Sequence, residues 1–220
     1  MTNLPAPRIV LYGASGYAAL WRDMVRRGFR GAPLAEVVAF IDDFAPQVVA
    51  SVEGVPVISF AAWRRELAGL PVAVTIGDPG DRRRLAEQVA AAGGRFTSLD
   101  YSANLFSASI AIGEGCLLAS TLYVGPFTTI GRHVHLNPMA SVGHDCQIGD
   151  FVTVCASCTI SGYVTVEDGV FLGAGSTIVN GTSKQRLIIG AGAFVGAGAV
   201  LTRSLPEGAR VFGNPARDLL

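Results

Sequence analysis

Residues 112–178 read IGEGCL LASTLY VGPFTT IGRHVH LNPMAS VGHDCQ IGDFVT VCASCT ISGYVT VEDGVF LGAGST I when broken at every sixth residue. The first letter of each block is a branched aliphatic: Ile112, Leu118, Val124, Ile130, Leu136, Val142, Ile148, Val154, Ile160, Val166, Leu172 and Ile178. The register breaks over Asn180-Gly-Thr-Ser-Lys-Gln-Arg186 and resumes at Ile189, Val195 and Leu201. Glycine often comes next, at Gly113, Gly125, Gly131, Gly143, Gly149, Gly173, Gly190 and Gly196. Four residues after the aliphatics stand mostly small side chains: Cys116, Thr128, Ala140, Cys146, Val152, Cys158, Val164, Ser176, Ala193 and Ala199. A strict repeat of this kind is the mark of a solenoid. Each block makes one short strand and one corner, and three blocks close a coil of about 18 residues. The aliphatic and the small residue point inward and fill a three-sided prism of roughly five coils. Glycine is expected to supply corner conformations that a Cβ disfavours.

The first hundred residues follow another rhythm. Strand patterns at residues 8–12, 37–41, 55–59 and 72–76 alternate with helical stretches at 17–27, 60–67 and 81–92. That alternation predicts a small parallel sheet covered on both faces. The chain therefore divides into a Rossmann-like α/β domain over residues 1–103 and a parallel β-helix over 104–220. Gly13-Ala14-Ser15-Gly16 follows the first strand and opens a helix, where phosphates can approach the backbone. Asp42 and Asp43 close the second strand, placed to accept hydrogen bonds from a base or ribose. The full dinucleotide fingerprint is missing, which argues against NAD.

Seventeen Lys and Arg balance seventeen Asp and Glu, giving zero net charge. Nucleic acid and anionic membranes are poor partners for such a surface. No apolar run approaches the ~20 residues of a membrane span, and residues 1–13 carry no cationic region before an apolar core. A cytoplasmic protein with reduced thiols is expected. Cys116, Cys146 and Cys158 occupy the small inward slot and read as core filling; Cys155 falls at a corner and is assigned no chemistry.

A bare prism is a scaffold, so chemistry must come from polar groups on its surface. His144 lies two residues after an inward aliphatic and should point outward. A neutral imidazole suits proton removal near neutral pH, and the adjacent Asp145 can hold it.

The segment Asn137-x-x-Ala140-x-Val142-x-His144-Asp145-Cys146-x-Ile148-Gly149-Asp150 resembles a motif of the bacterial sugar acyltransferases. These include the bacillosamine and perosamine N-acetyltransferases and the sialic-acid O-acetyltransferases. The likeness continues through Ile160-Ser-Gly162-x-Val164 and Gly213-Asn214-Pro215-Ala216-Arg217. In the first half it covers Tyr12-Gly-Ala-Ser-Gly16, Phe40-Ile-Asp-Asp43, and Ile76-Gly77-Asp78 followed by Arg82. The chain departs from the family at Tyr17 and Ala18, where Gly-His-Gly is usual, at Pro79 for Asn, and at Thr153 for a second His.

The resemblance implies left-handed coils and a homotrimer with active sites in clefts between neighbouring prisms. His144 would be the general base, Asp145 its orienting partner, and the Gly162 N–H of the adjoining subunit the oxyanion donor. Gly13, Ala14, Ser15, Gly16, Asp42, Asp43, Gly77, Asp78, Arg82 and Asn137 would meet a nucleotide-linked sugar. Acetyl-CoA would lie along the outer coils at Thr153, Gly162, Ala174, Gly192, Asn214 and Pro215, and no metal is implied. The acceptor would be the amino group of a 4-amino-4,6-dideoxy sugar, with O-acetylation of a polysaccharide or sialic acid as the alternative. Two readings of other classes compete. A zinc-dependent, carbonic-anhydrase-like trimer would use His133, His135 and His144, although these fall at different places in the repeat and solvated roles suit the first two. A non-catalytic assembly module would use the prism alone.

Overall fold

The computed structural model describes residues 6–28, 34–44, 50–101 and 104–218. The N-terminal sheet is built from Arg8–Tyr12 (β1), Glu36–Ile41 (β2), Ser51–Val52 (β3), Val55–Ile58 (β4) and Val72–Val74 (β5). Its order is β3-β4-β2-β1-β5, parallel except for the β3–β4 hairpin at one edge. The repeat pattern gave no hint of that hairpin; its turn is Glu53-Gly54, both with positive φ, as tight hairpins prefer. Gly16–Arg27 (α1) packs Ala18, Trp21 and Val25 against one face of the sheet. Phe60–Glu66 (α2) and Pro79–Ala91 (α3) cover the other with Trp63, Ala86 and Val89. The Ser59 hydroxyl accepts from Ala62 N at 3.2 Å to cap α2, and the Asp78 carboxylate accepts from Asp81 N at 2.9 Å to cap α3.

The second half is a left-handed parallel β-helix. Its first face stacks Tyr123–Val124, Ser141–Val142, Thr159–Ile160 and Thr177–Ile178 in parallel register. The second face holds Thr129–Ile130, Gln147–Ile148 and Val164–Val166; the third holds Leu117–Leu118, His135–Leu136, Thr153–Val154 and Phe171–Leu172. The six-residue aliphatics from Leu118 to Leu201 all lie in one buried cluster, with Cys116, Cys146 and Cys158 beside them at 0% exposure. The stack is longer than five coils, since the first face has six strands and begins at Leu105–Phe106. Leu99–Asp100 already pairs with Leu117–Leu118, ahead of the expected boundary; residues 102–103 at that boundary lie outside the described residues.

The glycines serve a different purpose from the one expected. Gly125 and Gly143 have no positive φ; a Cβ on either would lie 2.7 Å from the next coil's backbone nitrogen. They are small because coils stack closely. The left-handed conformation falls two residues later, at Phe127, His133, Met139, Asp145, Phe151, Ser157 and Tyr163, with φ between 54° and 62°. Side chains accept that strained backbone here because the coils on either side hold it.

The two halves share their interior. Leu117 and Ala119 of the solenoid belong to the core beneath α1, and Phe151 belongs to the core beneath α2 and α3. The third face is therefore roofed by the N-terminal domain, which places the domain's crevice beside the coils.

Candidate active site

His144 and Asp145 stand at the corner between the first and second faces. The imidazole Nδ1 is 2.8 Å from Asp145 Oδ2, and the His144 side chain keeps 52% of its surface exposed. A carboxylate only accepts, so Nδ1 carries the hydrogen and Nε2 of the neutral ring keeps a lone pair. The Tyr163 ring meets the imidazole edge to face at 5.1 Å. Gly162 lies beneath Nε2, one coil on in the same chain, and a Cβ there would come within 2.7 Å of that nitrogen. That proximity arises inside one protomer; the resemblance implied an oxyanion donor from the Gly162 of an adjoining subunit. At the corner between the second and third faces, the N–H groups two residues past the aliphatics are taken by the next coil's aspartates: Arg132 N donates to Asp150 Oδ1 at 2.7 Å and Asp150 N to Asp168 Oδ1 at 2.8 Å. Among the described residues nothing takes the Gly162 N–H.

A second group of expected residues meets at the carboxyl ends of β1, β2 and β5, where open α/β sheets bind ligands. Gly13, Asp42 and Asp43, with Tyr12, Phe44, Arg84 and Leu85, line a cavity of about 240 Å³. Gly13 is fixed by the fold, with φ 114° and Ile76 Cδ1 2.9 Å from a would-be Cβ. Gly16 has nothing within 4 Å of that position, so the fold alone does not explain it. Asp42 Oδ2 accepts from Ala14 N at 3.3 Å, and Asp43 Oδ1 from Phe60 N at 2.8 Å, so both carboxylates shape the crevice. Burial, aided by the Asp43 charge, pushes the Tyr12 hydroxyl up to about 12. Asp78 is occupied as the cap of α3.

Beside this crevice a cavity of about 500 Å³ separates the domain from the third face; Ser15, Tyr17, Gly77, Asn137, Thr153 and Cys155 line it. The Tyr17 hydroxyl donates to Asn137 Oδ1 at 3.1 Å, while Asn137 Nδ2 donates to Val154 O at 3.0 Å. Tyr17, Tyr12, Cys155 and Phe171 were not expected as site residues. The one signal for Tyr17 was that it replaces the histidine of the family pattern.

Several expectations give way. Arg82 is fully buried, and its five N–H groups are spent on His133 O, Ile76 O, Gly77 O, Phe151 O and Thr153 Oγ1, at 2.7–3.1 Å. Burial lowers its pKa to about 10. It clamps the domain to the coils and has no donor left for substrate. Thr153 is 2% exposed and donates to Gly77 O at 2.8 Å, so it offers no surface to CoA. His133 and His135 are not solvated. His133 is sandwiched by Phe151, with Phe96 at its edge, and His135 Nε2 meets Val74 O at 3.0 Å under the domain. Both are remote in the fold from the His144 corner, so the three histidines do not form one set. Gly162, Ala174 and Gly192 occupy three different corners of the prism, and Asn214 and Pro215 follow the last coil, so one chain does not gather them into one surface. His144 likewise faces away from Asn137, at the opposite end of Ser141–Val142.

No helix among the described residues is long and apolar enough to cross a membrane. Residues 8–89 match the model of the PglD N-terminal domain, and residues 127–162 match the bacterial transferase hexapeptide model of six repeats. The chain is 33% identical to WeeI from Acinetobacter baumannii AYE, covering 96% of this chain and 100% of that one, with a TM-score of 0.85. A variant of the perosamine N-acetyltransferase from Caulobacter crescentus, in complex with CoA and GDP-perosamine, is 28% identical over 96% of both chains, with a TM-score of 0.84. A dTDP-3-amino-3,6-dideoxy-alpha-D-galactopyranose 3-N-acetyltransferase from Aneurinibacillus thermoaerophilus is 51% identical over 49 residues, which span 22% of this chain and 23% of that relative.

Proposed function

The chain belongs to the bacterial sugar acyltransferases of the hexapeptide-repeat class, and from that premise we propose that it moves the acetyl group of acetyl-CoA to an amino group of a nucleotide-linked 4-amino-4,6-dideoxy sugar. The observation that carries the reading is the exposed His144, its Nδ1 held by Asp145 and its Nε2 packed over Gly162, whose N–H nothing among the described residues takes. As the sugar nitrogen attacks the thioester carbonyl, Nε2 takes the proton that nitrogen must lose. The sulfur leaves with the bonding pair, and the Gly162 N–H faces the oxygen on which charge develops. Acetyl-CoA arrives activated, so no acyl group need be stored on a side chain.

The nucleotide would occupy the crevice at Gly13, Asp42 and Asp43, with its phosphates over Ser15 and Gly16, while the sugar enters the cavity at Gly77 and Asn137. Ser15 caps α1 without a side-chain hydrogen bond, and that leaves the helix N-terminus open to an anion. CoA would follow the corner glycines; Gly192 is exposed, with nothing within 4 Å of a would-be Cβ. Because His144 faces away from its own sugar cavity, the site is completed by a neighbour's corner, which favours the homotrimer. The same reading has the enzyme work in the cytoplasm, in the synthesis of surface polysaccharide.

Thiol release from acetyl-CoA, measured across UDP-, GDP- and dTDP-linked amino sugars, tests the reading. One amino sugar should turn over, and His144→Gln should lower kcat by about 10²- to 10⁴-fold. A wild-type rate in that variant would remove the base assignment, and turnover of hydroxyl acceptors alone would move the reading to O-acetylation.

A further inference from the structure

The six-residue repeat is interrupted once, by residues 180–186, at the corner that carries Gly162 one coil earlier and His144 two coils earlier. Thr165 pairs with Ile188 rather than with a residue eighteen on, and the extra residues leave the prism there. Gly181 N donates to Gly162 O at 3.0 Å and Leu187 N to Tyr163 O at 3.2 Å, so the insertion starts and ends against the residues under the imidazole. Its last residue, Arg186, turns back across two coils. Nη2 donates to Asp145 O at 2.7 Å and Val164 O at 3.0 Å, and Nε donates to Thr165 Oγ1 at 2.8 Å.

The Asp145 carbonyl needs such a donor. Asp145 takes the left-handed corner conformation, φ 55°. Corner residues of this kind donate their N–H to the preceding coil, as Asp145 N does to Pro126 O at 2.9 Å, but their carbonyls turn out of the ladder. Among the described residues only Tyr163 gives its corner carbonyl to a backbone N–H. Arg186 therefore fixes the carbonyl side of the residue whose carboxylate holds His144 Nδ1, as Pro126 fixes the amide side. One planar edge of a guanidinium reaches acceptors on both coils at once, which the point donor of a lysine does not do.

We propose that Arg186 is a positioning residue for the His144–Asp145 pair, and that the insertion exists at this corner to deliver it. The inference rests on His144 acting as base. It touches neither substrate in this reading; it keeps the tautomer and aim of the imidazole over Gly162.

The test uses the full-length chain with acetyl-CoA and its amino-sugar acceptor. Arg186→Gln should lower kcat by about 10- to 100-fold, on the scale seen when an outer partner that orients a metal-binding histidine is lost, with KM for acetyl-CoA nearly unchanged. Arg186→Lys should recover little of it. Arg132→Gln, which breaks an ion pair at another corner, should leave kcat alone while shifting the thermal midpoint by a similar amount. In a His144→Gln background the Arg186 change should cost nothing more, because the two act through one pair. Undiminished kcat in Arg186→Gln overturns the proposal; so does an equal loss in the His144→Gln background, which would place Arg186 on a substrate. Should Arg186→Gln fail to fold, Arg186→Lys in the same cycle decides. Failure of the base reading shows separately, as full activity of His144→Gln itself.

Discussion

Acid should loosen this protein through His133, and the size of the effect follows from its surroundings. The ring is 4% exposed, stacked on Phe151 at 4.9 Å, and its Nδ1 has no hydrogen-bond partner. Burial first, then the positive charges of Arg82 and Arg132, lower its pKa from 6.5 to about 4. In the unfolded chain the same ring titrates near its ordinary value. Between pH 6.5 and 4 the unfolded state binds a proton that the folded state refuses, so stability is full above pH 6.5 and drains away as pH falls toward 4. A difference of about 2.5 at roughly 1.4 kcal/mol each comes to ~3 kcal/mol. That is a large part of the 5–15 kcal/mol that is usual for a domain, to order of magnitude. His135 pulls the same way, its pKa held well below 6.5 by complete burial and then by Arg82. Urea unfolding followed by fluorescence suits the measurement, because Trp21 and Trp63 are both buried in the N-terminal domain. The comparison is His133→Phe, which keeps the stack; the same left-handed corner position already accepts Phe127 and Phe151. Carboxylates contribute equally to both chains, so the difference isolates the imidazole. The variant should lose about 3 kcal/mol less than the wild type between pH 7 and 4. Equal slopes, or a wild type as stable at pH 4.5 as at pH 7, would refute the reasoning.

Arg82→Met should destabilise by about 3–5 kcal/mol in the same unfolding assay, since it strands buried carbonyls on both halves of the molecule. A change under 1 kcal/mol would mean that the five hydrogen bonds merely offset the burial of the charge. Gly16→Ala should leave the thermal midpoint unchanged or slightly raised, because the added Cβ meets nothing within 4 Å, yet it should weaken nucleotide-sugar binding in calorimetry by crowding the phosphates. Unaltered affinity would move the phosphates away from this helix N-terminus.

The prism was legible because its rule is local: an aliphatic every sixth residue must go inside, and Ile112 to Ile178 kept that rule without exception. His144 and Asp145 were legible for the same reason, since the register says which side chains face out. What the register cannot say is what lies against the outward column. Leu117, His135 and Thr153 point out of the prism and are nevertheless buried, at 0–2% exposure, under a domain more than sixty residues away along the chain in the case of Val74 and His135. A signal was present in hindsight: the third face carries Leu117, Phe171 and Phe194 outward, where the first carries Ser141, Thr159 and Thr177. Arg82 came into the site only through the family resemblance, which does not show the five acceptors that hold its guanidinium. The glycines misled because close stacking and positive φ both select glycine, and sequence alone does not separate the two causes.

The shared interior has a consequence for anyone recombining these enzymes. Leu117, Ala119 and Phe151 sit on coils but complete the cores of the N-terminal domain. A chimera joined near residue 103 would graft a new N-terminal domain onto a roofline cut for another. Grafts should carry Leu117, Ala119 and Phe151 along with the domain, even though all three lie downstream of the apparent junction.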